Sequence, residues 1–307
     1  MTIITLTVNP ALDKSAKVDQ VIPDQKLSCY DIQYQAGGGG INISRVLHTL
    51  GVKNTCIYTA GGDTGFQLTK LLKEEQVDTL PIKVQGVTRE NLSVVDTHTQ
   101  LQYRFGMPGQ TLTEKEIETI TETVLAKAQE PALVILSGSL SDSMPQDLYA
   151  RLVKLLTDRH IKVVIDTSGK ALTETLKEPV FLIKPNRKEL AQLAGNTELN
   201  KMQQEEFAMD LVQSKQVQYV AVSQGGEGAF LACPLGIFYC KPPEITVKST
   251  IGAGDSMVAG MVYAIQKGMT PQDIIKWGVA CGVATTMTEG TNLATQDHIN
   301  KVLTFLK

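Results

Sequence analysis

Short apolar runs, often β-branched, alternate along the chain with segments of helical periodicity, and this alternation limits the fold more than any other feature. Strands are predicted at residues 3–9, 56–60, 132–136, 163–165, 181–183 and 219–223. Helices are predicted at residues 41–50, 66–75, 114–128 and 187–194, and again near 271–288 and 296–306. Strands that alternate with helices usually pair in parallel, with helices packed on both faces of the sheet. The sequence therefore predicts an α/β fold with a mostly parallel central sheet.

A few strands are predicted outside this rhythm. Residues 16–21 and 29–35 alternate weakly, and residues 91–96 and 100–105 form a predicted hairpin about a polar turn. No linker, internal repeat or low-complexity segment interrupts the sequence, and 307 residues suit one large α/β domain. We therefore expect a single domain over residues 1–307, with several strands outside its main sheet.

Charge and cysteine content argue against several classes of function. The 29 Lys and Arg against 32 Asp and Glu leave a net charge of −3 without a long basic run, so nucleic acid is not an expected partner. Uncharged runs stay shorter than the roughly 20 residues of a membrane helix, and the N-terminus is predicted as a strand rather than a signal peptide. The five cysteines lack a C-x-x-C spacing, which favours reduced thiols. The sequence therefore predicts a cytoplasmic protein without a membrane partner.

A glycine turn leads into an apolar helix near residue 252. The turn is Gly252-Ala253-Gly254-Asp255, and no charge follows it before Lys267. Amides in the first turn of a helix lack intrahelical partners, and with the helix dipole they form an anion site. An ionised Asp255 beside that site is a proton acceptor next to a bound phosphate, which suits phosphoryl transfer. A capping aspartate with tightly packed glycines is the alternative, and the sequence holds neither a P-loop nor a complete dinucleotide fingerprint.

Three motifs together resemble one family. Residues 252–255 with their small-residue helix resemble the second signature of the PfkB (ribokinase-like) carbohydrate kinases, and Gly37-Gly38-Gly39-Gly40-Ile41-Asn42 resembles the first. Residues 184–189, Lys-Pro-Asn-Arg-Lys-Glu, resemble the Asn-x-x-Glu element of that family. Order and spacing match from Leu6 to about Leu293, which is nearly the whole chain. Within the family, the pattern is most similar to the 6-phosphofructokinase branch.

The resemblance implies a three-layer α/β/α ribokinase-like fold over residues 1–307. It also implies that the extra strands form a small β lid over the sugar, built from about residues 14–36 and 88–107. Because lids of this family often pair two subunits, a homodimer through the lid is expected.

The implied activity is ATP-dependent phosphorylation of a ketohexose phosphate, a step of the glycolytic type. Fructose 6-phosphate, converted to fructose 1,6-bisphosphate, is the foremost substrate. Tagatose-6-phosphate kinase and 1-phosphofructokinase are the alternatives, but the four-glycine run and Ser249 favour the fructose 6-phosphate type. A non-catalytic sugar-phosphate sensor on the same fold is a more distant alternative, against which the retained Asp255, Gly252 and Gly254 argue.

Roles in chemistry and sugar binding follow from the same resemblance. Asp255 is the implied base, and the amides of Gly252, Ala253 and Gly254 are the implied anion hole. The implied substrate-binding residues are Asp13, Lys26, Gly38, Gly39, Asn42, Arg89, Arg104 and Ser139. Asp13 is expected on the loop after the first strand, where it would bind sugar hydroxyls. Lys26, Arg89 and Arg104 are expected to hold the substrate phosphate, with Lys26 reaching it across a subunit boundary.

The implied cofactors are ATP, Mg²⁺ and K⁺. The implied nucleotide-binding residues are Lys184, Asn186, Ser223, Gly225, Gly226, Gly228, Lys248 and Val283. Asn186 and Glu189 would order Mg²⁺ through water, although their spacing also fits a helix capping box. Backbone and hydroxyl oxygens of Ser249, Ile251, Thr285, Thr288, Gly290 and Asn292 would bind K⁺. Two of these depart from the family pattern, since Ser249 replaces the aspartate of most members and Asn292 the arginine of close relatives.

Overall fold

A mostly parallel sheet forms the middle layer of the molecule in the computed structural model, which describes residues 1–306. The strands, in chain order, are β1 (Thr2–Thr7), β2 (Ala11–Val18), β3 (Tyr30–Gly37), β4 (Thr55–Ala60), β5 (Thr79–Lys83), β6 (Arg89–Asp96), β7 (Gln102–Phe105), β8 (Ala132–Ser137), β9 (Lys162–Asp166), β10 (Val180–Ile183), β11 (Val217–Ser223), β12 (Ala229–Cys233) and β13 (Gly236–Cys240). Nine of them form the central sheet in the order β13-β12-β11-β10-β9-β8-β1-β4-β5. Within this central sheet the described residues pair antiparallel only at β11–β12 and β12–β13, so the predicted mostly parallel sheet is confirmed.

Helices cover both faces of this sheet. They are α1 (Gly39–Thr49), α2 (Gly62–Glu74), α3 (Glu114–Lys127), α4 (Leu148–Thr157), α5 (Gly169–Thr175), α6 (Arg187–Leu193), α7 (Lys201–Gln213), α8 (Ala253–Gln266), α9 (Pro271–Thr286) and α10 (Gln296–Phe305). Alternate strand residues point to opposite faces, and they enter separate cores: Leu6 packs with α3 to α7, whereas Ile3 packs with α1, α8, α9 and α10. A smaller hydrophobic core packs α2 against β4, on the face of the sheet that α1 covers. The predicted three layers are therefore confirmed.

A second sheet of four strands lies outside the central one, in the order β3-β2-β6-β7. Its β2 pairs in parallel with β6 along eight residues, from Ala11–Arg89 to Val18–Asp96. The strand therefore begins at Ala11, and Asp13, predicted on a loop, lies within β2. The loop prediction for Asp13 was wrong, because the turn at Pro10 is followed at once by Ala11 and Leu12, which are buried residues of β2.

The two faces of the second sheet differ in polarity. Asp13 lies opposite Gln35 of β3 and Asn91 of β6, so these polar side chains share one face. Lys14 lies opposite Tyr34 and Leu92 on the other face. Among residues 1–306, no helix combines the length and apolar character needed to cross a membrane.

Candidate active site

The glycine turn and Asp255 lie where α8 begins. Gly252, the N-cap, has a left-handed φ of 73°, which favours glycine because it lacks a Cβ. The following turns of α8 are buried from Ser256 to Val262, so apolar packing holds the helix end in place. Because first-turn amides have no intrahelical acceptors, the amides near Gly252, Ala253 and Gly254 can bind an anion beside Asp255.

Asp255 is half-buried, and its polar and charged neighbours are Asn42, Asp166 and Lys184. Asn42 of α1 donates a hydrogen bond from Nδ2 to Oδ2 of Asp255 at 2.8 Å. Burial, and then the nearby charge of Asp166, raise the pKa of Asp255 to about 7, against the opposing effects of Asn42 and Lys184. A carboxylate with a pKa near the working pH is suited to act as a general base.

Asp166, at the end of β9, is a residue that the sequence analysis missed. Its Oδ1 forms an ion pair with Nζ of Lys184 at 3.2 Å, and both side chains are largely buried. Ser137 at the end of β8 donates a hydrogen bond to the other oxygen of Asp166 at 3.4 Å. A carboxylate at the carboxyl end of a parallel strand was the available signal, but the sequence does not indicate which strand ends are neighbours.

Lys184 brings a positive charge to the start of α8. Burial by itself lowers the pKa of Lys184, but the carboxylates of Asp166, Glu189 and Asp255 outweigh it and the pKa is raised. The ammonium therefore stays charged. A Cβ on Gly254 would lie 3.2 Å from Nζ of Lys184, so the lysine lies directly against the predicted anion hole.

A cavity of about 260 Å³ joins these groups to the predicted sugar-binding residues. Its lining includes Gly38, Gly39, Arg89, Ser139, Asp166 and Asp255. Asn9, which was not predicted, also lines it and donates a hydrogen bond to the carbonyl of Ser139 at 3.2 Å. Thus the structure brings the predicted base and four predicted substrate residues to one cavity.

The glycine run makes room for side chains from other parts of the chain. A Cβ on Gly37 would lie 2.1 Å from Oδ2 of Asp13, and one on Gly39 would lie 2.2 Å from Oγ of Ser137. Asn91, also unpredicted, donates a hydrogen bond to Oδ1 of Asp13 at 2.9 Å. Burial raises the pKa of Asp13. The hydrogen bond from Asn91 and the charges of nearby arginines lower this pKa, but by less than burial raises it. The glycines are therefore needed for close approach rather than for a flexible linker.

The three predicted phosphate-binding cations lie in different surroundings. Arg89 donates to the carbonyls of Met107 at 3.2 Å and Asn9 at 3.4 Å, and its buried Nε has no partner. Burial lowers the pKa of Arg89, against the effect of Asp13. Arg104 is exposed and reaches Oγ1 of Thr250 at 3.5 Å. Lys26 lies in the exposed loop between β2 and β3, outside the residues that line the cavity.

The Asn-x-x-Glu element caps α6 at the edge of the same cavity. Asn186 Oδ1 accepts from the Glu189 amide at 3.0 Å, and Glu189 Oε2 accepts from the Asn186 amide at 2.8 Å, so the predicted capping box is confirmed. Glu189 also lines the cavity, and burial raises its pKa. Among residues 1–306, no three His, Cys, Asp or Glu side chains are arranged to hold a metal alone. Magnesium that binds nucleotide phosphates needs only one or two carboxylates, and Glu189 with Asp166 fits that requirement.

The predicted nucleotide residues form two groups. Ser223, at the end of β11, bridges to Asn186, and the short 3-10 turn of Gly225 and Gly226 follows it. Gly228 has a φ of 98°, and a Cβ there would lie 2.2 Å from the Cys240 carbonyl. In the second group, the Lys248 amide donates to the Thr286 carbonyl at the end of α9, the helix that also carries Val283. Lys248 Nζ lies 3.5 Å from Oε1 of Glu289.

The predicted K⁺ ligands lie close together. Ser249 Oγ donates to the carbonyl of Gly290 at 2.6 Å and accepts from the Ile251 amide at 3.3 Å. Thr288 Oγ1 donates to the carbonyl of Thr285 at 2.7 Å and also to that of Asn292. Neutral carbonyl and hydroxyl oxygens are the ligands that suit K⁺, so the donor set fits this ion.

A model of the pfkB family carbohydrate kinases matches residues 7–298. The chain belongs to this family. The family prediction made from the three motifs is therefore confirmed.

Its relatives cover nearly the whole length. The ATP-dependent 6-phosphofructokinase isozyme 2 of Escherichia coli (strain K12) is 35% identical over 305 residues, 99% of this chain and 98% of that protein. The 1-phosphofructokinase of Bacillus subtilis (strain 168) is 30% identical, and the alignment covers 99% of this chain and 98% of that protein. The tagatose-6-phosphate kinase of Staphylococcus epidermidis (strain ATCC 35984) is 29% identical, covering 98% and 97%.

Solved structures agree with the fold. The phosphofructokinase-2 of Escherichia coli in complex with substrates and products has a TM-score of 0.96 at 34% identity, covering 100% of this chain and 99% of that one. The same protein in complex with potassium has a TM-score of 0.95 at 34% identity, and the match covers 99% of this chain and 98% of that one. The ribokinase of Arabidopsis thaliana, at 18% identity and a TM-score of 0.77 over 98% of both chains, shares the fold. The ribokinase-like fold is thus confirmed.

Proposed function

We propose that this pfkB kinase transfers the γ-phosphoryl group of ATP to the C1 hydroxyl of fructose 6-phosphate. One observation carries the proposal: Asp255, with a pKa of about 7, lies between a helix start that can bind an anion and a cavity that Arg89 lines. The 35% identity over nearly the full length to a 6-phosphofructokinase supports this substrate.

Each step of the transfer has a group to carry it. Asp255 accepts the proton of the sugar hydroxyl, and the hydroxyl oxygen forms a bond with the γ-phosphorus. The bond from that phosphorus to its bridging oxygen breaks, and ADP leaves with the electron pair. The amides of Gly252, Ala253 and Gly254 and the ammonium of Lys184 offset the negative charge that develops on the phosphoryl oxygens. Asn42 holds the Asp255 carboxylate through its hydrogen bond.

The sugar phosphate would bind at the opposite end of the cavity. Arg89 has an unpartnered Nε there, and a guanidinium suits a phosphate monoester. Arg104 would complete the site from the second sheet, and Lys26 would reach it from a partner subunit. Asp13, Gly38, Gly39 and Ser139 would contact the sugar itself.

Mg²⁺ would be held near Asn186 and Glu189 through water, where it would neutralise the nucleotide phosphates. The nucleotide would lie against the two groups that contain Ser223 and Lys248. K⁺ would bind the oxygens around Ser249 and Thr288, next to the anion hole. The potassium complex of the Escherichia coli relative supports this last assignment.

We also infer that residues 1–307 form one kinase domain, with the second sheet as a lid over the sugar. Two copies of the chain would pair through this sheet as a homodimer. The sheet face opposite Asp13 carries Tyr34, Leu92 and Phe105 in one row across the sheet, with Lys14 between Tyr34 and Leu92. Ile32 and Phe105 are 50% and 49% exposed, and an apolar face of this kind favours a second copy as partner. A cytoplasmic location suits ATP use, and all five cysteines are free.

A coupled assay tests the function, with ATP and each of fructose 6-phosphate, tagatose 6-phosphate and fructose 1-phosphate. The highest kcat/KM is expected for fructose 6-phosphate, and Asp255→Asn should lower kcat about 10²- to 10⁴-fold. A higher kcat/KM for another sugar would transfer the assignment to it. Binding of sugar phosphate without any turnover would support a sensor instead.

A further inference from the structure

A buried pair of hydroxyl groups lies directly behind the anion-hole turn. Thr285 of α9 and Ser256 of α8 are both 0% exposed. Oγ1 of Thr285 donates a hydrogen bond to Oγ of Ser256 at 2.7 Å and accepts one from the amide of Ala294 at 3.1 Å. One hydroxyl therefore joins α8, α9 and the segment that follows the predicted K⁺ ligands.

This pair contacts the elements that carry the proposed chemistry. Ser256 follows Asp255 directly, and its amide donates to the Gly252 carbonyl at 2.9 Å, which closes the first turn of α8. A Cβ on Gly252 would lie 2.7 Å from Cδ2 of Leu293 and 3.9 Å from Cγ2 of Thr285. The turn thus rests on Thr285 and Leu293, with little room to shift in that direction.

The hydroxyl of Thr285 differs in role from its carbonyl. The carbonyl accepts from Thr288 within the predicted K⁺ site, whereas the hydroxyl is engaged as both donor and acceptor on the other side. A valine would keep the shape but remove the bonds that the Ser256 hydroxyl and the Ala294 amide make with Thr285 in the buried interior. Unpaired buried groups of this kind drive local rearrangement, and a shift of about 1 Å at a reacting site can cost about 10²-fold in rate.

We propose that Thr285 is a positioning residue, whose hydroxyl holds the Gly252–Asp255 turn in its reactive orientation through Ser256. The inference rests on the proposed kinase function. Its effect belongs to the transfer step, because in the described part of the chain the two hydroxyls bond only each other and the Ala294 amide, and neither forms a hydrogen bond with a residue that lines the sugar cavity.

Matched variants separate positioning from simple stability. Thr285→Val should lower kcat about 10-fold with the KM for sugar phosphate within about 2-fold, since only the transfer geometry changes. Thr285→Ser keeps both the hydroxyl and the backbone carbonyl, and it should restore most of the kcat that Thr285→Val loses. The double variant Thr285→Val with Ser256→Ala should match the kcat of Thr285→Val within about 2-fold, because each substitution removes the same hydrogen bond between Thr285 and Ser256. Thr175→Val is the control: this threonine is also fully buried and bonds the Ala171 carbonyl at 2.7 Å on α5.

Hydrogen exchange gives a readout that does not need turnover. Amides of the Gly252–Ser256 stretch should exchange faster in Thr285→Val, but not in Thr285→Ser or Thr175→Val. Equal exchange in the valine and serine variants would overturn the inference, as would a kcat loss no larger than that of Thr175→Val. If the wild type phosphorylates none of the three sugars, the proposed function fails, and the exchange data still decide whether the hydroxyl holds the turn.

Discussion

Asp255→Asn should stabilise the fold while it removes the proposed base, and the gain should depend on pH. The pKa of Asp255 is raised from its ordinary value of 3.8 to about 7. Between these two values the folded chain binds more protons than the unfolded chain, so stability falls as pH rises. An asparagine cannot ionise, and it therefore removes this loss while it keeps the shape and the hydrogen bond to Asn42.

The size of the effect follows from the same pKa. A difference of about three pH units corresponds to about 4 kcal/mol, because each unit is worth ~1.36 kcal/mol. At pH 5 roughly 2 kcal/mol of that cost is already present, since the unfolded carboxyl is mostly ionised there. The advantage of Asp255→Asn over the wild type should therefore grow by about 2–3 kcal/mol between pH 5 and pH 8.

Urea unfolding at a series of pH values measures this advantage, with the single tryptophan, Trp277, as the fluorescent reporter. Asp210→Asn is the matched control, because Asp210 is an exposed carboxylate of α7. The difference in unfolding free energy between Asp255→Asn and wild type should rise from pH 5 to pH 7 and then level. A difference that stays constant across this range would refute the conclusion that Asp255 is destabilised by its surroundings.

Arg89→Ala should raise the KM for the phosphosugar about 10- to 100-fold with kcat within about 2-fold, because charge-assisted bonds to the phosphate are lost; a KM no higher than that of the exposed-site control Arg151→Ala would count against this role. The kcat/KM of the wild type should rise with pH up to about 7 and then level, since Asp255 must lose its proton to act as base. Asp166→Asn should move that rise to lower pH by removing a repelling charge, and an unmoved profile would contradict it. Phe105→Asp should give monomers in sedimentation, and a persistent dimer would place the interface elsewhere.

Local sequence patterns were sufficient to predict the helices that follow the glycine turns. The apolar run after Gly254 predicted a buried helix, and α8 is buried along Ser256–Val262. The second sheet was harder, because pairing with β6 carries β2 back to Ala11 and places Asp13 within a strand. The sequence analysis also did not assign β5, α4, α5 or α7. The inward residues of α7 include Gln204 and Ala208, so its apolar periodicity is weak.

Asp166 shows why part of the site was not predictable. Its partners Lys184 and Asp255 come from other elements, and only the order β8-β9-β10 in the sheet brings the strand ends together. The family is confirmed by the matched model and relatives. The individual roles of the residues in substrate and ion binding stay predictions.

The packing around the glycine run restricts how such a kinase can diverge. Since Asp13 and Ser137 already occupy the space beside Gly37 and Gly39, a new side chain on that wall would displace them before it met a different sugar. Selection for another carbohydrate is therefore expected to act on the polar face of the second sheet at positions other than Asp13, which packs against the glycine run.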